Sequence, residues 1–242
     1  MADHRGPGAR CEARLTKILL AQYKNFTANP HPHLLAVIDE RDIRVWYFLA
    51  GGLDTPFLHG EYLFRLTAPD EFPQKPPRFE FCTENGVFQP GGPICISVGE
   101  FHAGDSPGKD GSHGWRASLG MGGFAVQVVN GLICFDGLDR GIRITSTTGA
   151  QKSALALRSR AQNRQHFPDP YALFEAVIAS SPDSEPSRNM LRARARRDSL
   201  ADGALADGSA LAGGGAPADG GAPAGGARPL AMLVPSEPRG PV

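Results

Sequence analysis

Nothing in the chain is apolar for long enough to cross a bilayer. A spanning helix takes about 20 consecutive apolar residues, and the longest candidate, Pro229-Leu230-Ala231-Met232-Leu233-Val234-Pro235, falls far short. The stretch before Cys11 also lacks the apolar run of a secretion signal, so the expected setting is a reducing compartment, cytoplasmic or nuclear, with free thiols and no membrane anchor. Net charge is missing too. The 25 basic side chains balance 25 acidic ones, and nucleic acid is not expected as a partner. Only four cysteines occur, Cys11, Cys82, Cys95 and Cys134, with no Cys-x-x-Cys pair and no histidine at ligand spacing. That scatter excludes the usual zinc sites, so no metal is expected. Cys11 falls at a helix start, Cys82 on a strand and Cys134 on a helix face expected to be buried.

Glycine and proline are abundant, 30 and 21 residues, and many of them follow residue 180. Residues 180–186 read as a linker. Arg188, Arg192, Arg194, Arg196 and Arg197 then cluster, and imperfect Ala-Asp-Gly and Gly-Ala-Pro repeats begin at Ala201. With few large apolar groups, such a stretch cannot offset the entropy of ordering it. The expected organisation is a disordered N-terminus over 1–9, one folded domain over 10–179 and a disordered tail over 180–242. Three readings stay open for the arginines: solvated charge, an import signal, or a patch for anionic lipid or RNA.

Within the folded part, Leu15, Ile18, Leu19, Tyr23 and Phe26 recur at helical spacing, with Arg10, Arg14, Lys17 and Lys24 on the other side. An amphipathic helix over 10–26 follows. Three strand-length runs rich in aromatic and β-branched residues come next, at 34–38, 43–50 and 62–66, separated by turn signals, and 78–82 makes a fourth. The short spacings predict an antiparallel meander with one face against the helix and the other free. Residues 119–135 are apolar nearly all round and read as a buried helix that packs closely at its glycines, while 150–165 and 171–178 read as closing helices.

The chemistry is concentrated between these elements. Phe72-Pro73-Gln74-Lys75-Pro76-Pro77 should form an extended, semi-rigid surface platform, because three prolines fix φ and remove backbone donors. After one alternating run, Thr83-Glu84-Asn85-Gly86 and Gly91-Gly92-Pro93-Ile94-Cys95-Ile96-Ser97 deliver a cysteine at the end of an irregular loop, where a thiol can meet a large partner. A long glycine-rich connection over 98–114 then leads to Trp115; such a length is more often functional than structural.

The order Gly60-Glu61-Tyr62, Phe72-Pro73-x-Lys75-Pro76-Pro77, Asn85-Gly86, Ile94-Cys95-Ile96-Ser97, Phe101-His102 and Trp115 resembles ubiquitin-conjugating enzymes. It is most similar to the divergent branch whose members are usually tail-anchored in the endoplasmic reticulum membrane. That branch carries Thr-x-Asn-Gly-x-Phe in place of His-Pro-Asn, and a serine two residues after the nucleophile. Thr83-Glu84-Asn85-Gly86-Val87-Phe88 and Ser97 fit both features. The resemblance implies an α+β domain of the conjugating-enzyme fold: an N-terminal helix, a four-stranded antiparallel meander, a catalytic-cysteine loop, C-terminal helices and then the disordered tail.

By the same resemblance, Cys95 accepts the C-terminus of ubiquitin as a thioester from the ubiquitin-activating enzyme and passes it to a protein substrate, with no cofactor. A thiolate suits both steps, since it attacks and leaves readily. Asn85 corresponds to the residue that donates to the oxyanion or braces the loop that does, although it sits ten residues before the cysteine, not eight; an Asn-Gly turn residue is the plain alternative. Ser97 replaces an acid that prepares an incoming lysine. The branch is associated with transfer to Ser or Thr hydroxyls as well, and His102 is then the candidate general base, with His113 a weaker one. A basic first helix, here Arg10, Arg14 and Lys17, meets the activating enzyme. Ligases of the RING or HECT type meet two loop tips, here Pro73 with Gln74, and Trp115 followed by Arg116 and Ala117. Gln74 stands where an aromatic anchor is common, which narrows the partner set. Two other readings compete: an inactive variant of the fold acting as an adaptor for ubiquitin or a ligase, and a cysteine hydrolase pairing Cys95 with His102 or His113. Cys95 itself argues against the adaptor, and the lack of a third orienting residue argues against the hydrolase. Another ubiquitin-like modifier stays open as the cargo.

Overall fold

The structure is a computed structural model and describes residues 7–102, 114–134, 142–145 and 147–210, with only the backbone path of 7–10, 102 and 201–210. The chain divides after Gly203, and all contacts below belong to the first unit, Met1–Gly203. In order come α1 (Pro7–Ala28), β1 (Leu34–Ile38), β2 (Val45–Gly51), β3 (Glu61–Thr67), β4 (Arg78–Phe81), a 3-10 turn (Glu100–His102), α2 (Gly120–Cys134), α3 (Gly149–His166), α4 (Pro168–Ser180) and α5 (Glu185–Ala210).

The four strands form one antiparallel sheet in the order β1-β2-β3-β4, with Ala36 opposite Phe48, Phe48 opposite Phe64 and Phe64 opposite Phe81. Side chains alternate across a strand, so this register stacks aromatic rings on a single face. Phe48 and Phe64 lie parallel with centroids 5.3 Å apart, and Phe81 sits 5.4 Å from Phe64. Trp46, Phe48, Tyr62, Phe64, Phe79 and Phe81 are all buried there, against Leu15 and Leu19 of α1 and Phe124, Val128 and Leu132 of α2. Each such burial contributes about 1.5–3 kcal/mol, which makes this layer the main hydrophobic term. α3 begins with a reciprocal cap: Thr148 Oγ1 accepts from Gln151 N–H at 3.2 Å, and Gln151 Oε1 accepts from Thr148 N–H at 2.9 Å.

The second face of the sheet is not free. Leu35, Val37, Leu49 and Leu63 are covered by Tyr171, Phe174 and Ile178 of α4 and by Met190 of α5. The expected disordered tail therefore begins too early: after a short turn at 181–184, the arginine-rich segment is helical and packed. Pro186, Met190 and Ala193 are buried at helical spacing, and Arg194, only 9% exposed, is no solvated charge. Its Nε donates to Glu61 Oε1 at 2.7 Å, and its Nη2 to Glu61 Oε2 at 2.9 Å and to Glu175 Oε1 at 2.6 Å. Tyr171 Oη also donates to Glu61. A buried carboxylate needs such pairing, and composition alone cannot reveal a partner so distant in sequence. Residues 211–242 lie outside the described residues, as do 1–6.

Two smaller expectations change. Cys134 closes α2 on an exposed position, not a buried one. The Phe72–Pro77 stretch is a turn, not an extended platform: Gln74 N–H and Lys75 N–H both donate to Glu71 C=O, at 2.7 and 3.1 Å. Phe72, Pro76 and Pro77 are drawn inward by burial, leaving Gln74 and Lys75 at the tip.

Candidate active site

The cysteine loop is built outward from β4. Its first residue, Thr83, is fully buried and bridges two elements: its Oγ1 accepts from Leu63 N–H at 2.8 Å and donates to Asn163 Oδ1 of α3. Asn163 in turn donates from Nδ2 to the carbonyl of Glu61 at 2.8 Å. Asn85, also fully buried, closes an Asx turn. Its Oδ1 accepts from Val87 N–H at 2.9 Å and Phe88 N–H at 2.8 Å, and its Nδ2 donates to Thr83 C=O at 3.1 Å. The geometry is that of a brace. Gly86 follows at φ +80°, where a side chain is strained and a Cβ would come within 2.5 Å of Thr147 Oγ1.

Beyond the turn, the segment at 142–145 runs antiparallel to the loop like a strap. Thr145 N–H donates to Val87 C=O at 2.8 Å, Gln89 N–H to Arg143 C=O at 2.9 Å, and Cys95 N–H to Ile142 C=O at 3.2 Å. On its other side the loop is anchored to β4, with Ile94 N–H donating to Phe79 C=O at 3.1 Å. Ile94, Ile96 and Val98 are buried, so the alternation turns Cys95 and Ser97 outward: Cys95 is half-buried and Ser97 exposed. Ile142 flanks the nucleophile's backbone with half of its own surface exposed. Cys82, by contrast, is buried, and desolvation pushes its thiol up to about 12, so it stays protonated and inert.

The two loop tips named from the sequence meet. Trp115 Nε1–H donates to Pro73 C=O at 2.8 Å, and the indole packs against Phe72 and Phe124 with centroids 6.1 and 6.0 Å away. Gln74, Arg116 and Ala117 are exposed around it. An open groove of about 440 Å³ runs from Pro73 and Gln74 to Arg14, Leu15 and Ile18 of α1. Lys17 is exposed on the same helix, and Arg10 lies in its first turns. His102 ends the 3-10 turn that follows the loop; its side chain, and all of His113, lie outside the described residues. Among the described residues no cluster of His, Cys, Asp and Glu gathers that would hold a metal ion. The sequence marks Thr83 only as part of its motif and gives no sign of Asn163 or Arg143, because the partners of all three are far away in the chain.

The family model described as ubiquitin-conjugating enzyme matches residues 18–120, which run from α1 through the sheet and the cysteine loop to the start of α2. Over that stretch the chain is similar to ubiquitin-conjugating enzymes. It is 30% identical over 165 residues to ubiquitin-conjugating enzyme E2 6 of Kluyveromyces lactis, a match covering 64% of this chain and 59% of that protein. To the protein of the same name in Saccharomyces cerevisiae it is 34% identical over 152 residues, covering 62% of this chain and 54% of the relative. Among solved structures, the human ubiquitin-conjugating enzyme E2 G1 is similar at 25% identity and a TM-score of 0.41, covering 48% of this chain and 93% of that one. The chain thus spans little more than half the length of the two fungal relatives. No described helix of this chain is long and apolar enough to cross a membrane.

Proposed function

We propose that this protein is a ubiquitin-conjugating enzyme, a ubiquitin carrier that works through Cys95. The Cys95 thiolate attacks the carbonyl of ubiquitin's thioester on the activating enzyme, and collapse of the tetrahedral adduct expels the activating enzyme's thiolate. A substrate amine or hydroxyl then attacks the new thioester and expels Cys95. The observation that carries this reading is the outward placement of Cys95 between buried Ile94 and Ile96, on a loop pinned by Ile142 and Phe79.

The remaining roles follow the same reading. Asn85 braces the loop on which the oxyanion forms. Ser97 leaves the acceptor side without the usual carboxylate, and His102 serves as general base toward hydroxyl acceptors. Arg10, Arg14 and Lys17 receive the activating enzyme. A RING or HECT-type ligase docks on Pro73, Gln74, Trp115, Arg116 and Ala117, and the cytoplasm or nucleus is the compartment this chemistry fits. Incubation with activating enzyme, ATP and ubiquitin, followed by electrophoresis without reductant, tests it. The expected product is a thiol-sensitive adduct absent in Cys95→Ala; a parent chain that forms none leaves the adaptor reading in its place. Discharge onto free lysine, serine and threonine, compared between parent and His102→Ala, tests the base: loss confined to the hydroxyl acceptors supports it, and an unchanged profile removes it.

A further inference from the structure

One residue of the strap beside the cysteine loop holds a backbone conformation that its side chain disfavours. Arg143 has φ +62°, and among the described residues it stands apart from the glycines in that region. Such strain persists only where the surroundings over-determine it, and it gathers at functional sites. Here the surroundings are on both sides of the loop that ends at Cys95. Arg143 Nη1 donates to Pro90 C=O at 2.9 Å, and its own carbonyl accepts from Gln89 N–H at 2.9 Å. Its guanidinium is laid against Gly92, where a Cβ would come within 2.7 Å of Nε and 2.8 Å of both Cζ and Nη2. Three atoms of one plane at nearly equal distance mean that the plane faces the glycine. The residue before Arg143 is Ile142, whose carbonyl accepts the N–H of Cys95 itself.

We propose that Arg143 is a positioning residue for the Cys95 thiol. The guanidinium ties Pro90 and Gly92, at the entrance of the loop, to the strap that holds the nucleophile's own amide at its exit. The inference rests on the reading of Cys95 as a thioester carrier and adds the element that fixes the direction from which its sulfur meets a carbonyl. Both partners are needed for this fit. Only a residue without Cβ leaves room at position 92, and only a planar, multiply donating head fills that room while bonding Pro90. A small displacement of a reacting group lowers rate steeply.

The test separates this role from stability. Arg143→Gly removes the guanidinium and also relieves the backbone, so its Tm should match or exceed the parent's. Its single-turnover discharge of ubiquitin onto free lysine should nonetheless fall by about tenfold to a hundredfold. Arg143→Lys keeps the charge without the plane and should not rescue the rate. Gly92→Ala evicts the same guanidinium from the opposite side and should slow discharge comparably, and the double variant Gly92→Ala/Arg143→Gly should be no slower than either single one. Discharge at the parental rate in Arg143→Gly, or losses that multiply in the double variant, overturns the proposal. Failure of the parent to charge is a different outcome and removes the carrier reading. In that event hydrogen exchange at the Cys95 amide decides the clamp: faster exchange in Arg143→Gly than in the parent upholds it, and equal exchange rejects it.

Discussion

Trp115 donates its indole N–H to the carbonyl of Pro73, 2.8 Å away, and so joins two loop tips separated by more than forty positions into one surface. Trp115→Phe keeps a ring in the gap between Phe72 and Phe124 but deletes the donor. The expected loss is about 1 kcal/mol of stability, read from urea denaturation, together with weaker capture by any ligase that docks on Gln74 and Arg116. A variant with parental stability and parental ligase binding would show that the bond holds nothing in place.

The pairing of Glu61 with Arg194 lies almost wholly out of water, at 2% and 9% exposure. Arg194→Ala strands the carboxylate and should cost about 3–5 kcal/mol. The double change Glu61→Gln/Arg194→Met removes both charges and should recover part of that loss. Denaturant unfolding of the parent, Glu61→Gln, Arg194→Met and the double variant gives the coupling directly; additive losses would mean that the two side chains act separately.

Acid should loosen the same region. Burial alone would push the Glu175 carboxyl up, but Arg194 and Arg160 outweigh it and hold the net value below the ordinary one. Glu80 behaves alike, with burial opposed and exceeded by Arg65 and Arg78. A carboxylate whose folded pKa is depressed stabilises the fold above its unfolded pKa, about 4.3 for glutamate, and loses that contribution as pH falls through the folded value. Tm should therefore hold between about pH 5 and 7 as far as these groups are concerned, and drop progressively below about pH 4.5. The drop should be shallower in Glu175→Gln, and an identical acid limb in parent and variant would exclude Glu175 as a contributor.

Asn85 allows brace and donor to be told apart. Asn85→Asp keeps an oxygen for the N–H groups of Val87 and Phe88 but gives up the donor, whereas Asn85→Ala leaves two buried N–H groups unpaired. The alanine variant should lose about 2–4 kcal/mol, and the aspartate variant much less. If the aspartate variant also discharges ubiquitin at close to the parental rate, the residue acts by shaping the loop; a large loss of discharge at parental stability would assign it to the oxyanion instead.

The four thiols should react unequally. Cys11 and Cys134 are exposed and Cys95 is half-buried, while Cys82 is buried with its thiol pushed up. Maleimide labelling followed by intact mass should stop at three adducts in the native protein and reach four only in denaturant. Cys95→Ala should lower the native count by one, and native labelling of Cys82 would contradict its burial.

Much of the sheet was legible because its signal is local. Residues 34–38 carry β1 in both the sequence reading and the structure, since Leu34-Leu35-Ala36-Val37-Ile38 has strand character and turn residues follow it. The outward cysteine had a local signal as well, in Ile94, Ile96 and Val98 alternating with Cys95 and Ser97. α5 was not legible. Its buried stripe is narrow, made of Pro186, Met190 and Ala193, and its anchoring depends on Arg194 finding a carboxylate on β3. The positive φ of Arg143 was equally hidden, since nothing local marks it and the guanidinium's place against Gly92 is a contact between distant parts of the chain. The turn at Phe72 was misjudged for a related reason: proline fixes the chain locally, but burial of the ring decided where it bends.

The bond from Arg194 to Glu61 spans 133 positions. On a ribosome adding roughly 5–20 residues each second, β3 therefore emerges several seconds before the helix that neutralises its carboxylate and shields Leu49 and Leu63. Until α4 and α5 have left the exit tunnel the nascent sheet is one-sided and sticky, and full cooperativity arrives only once α5 is out.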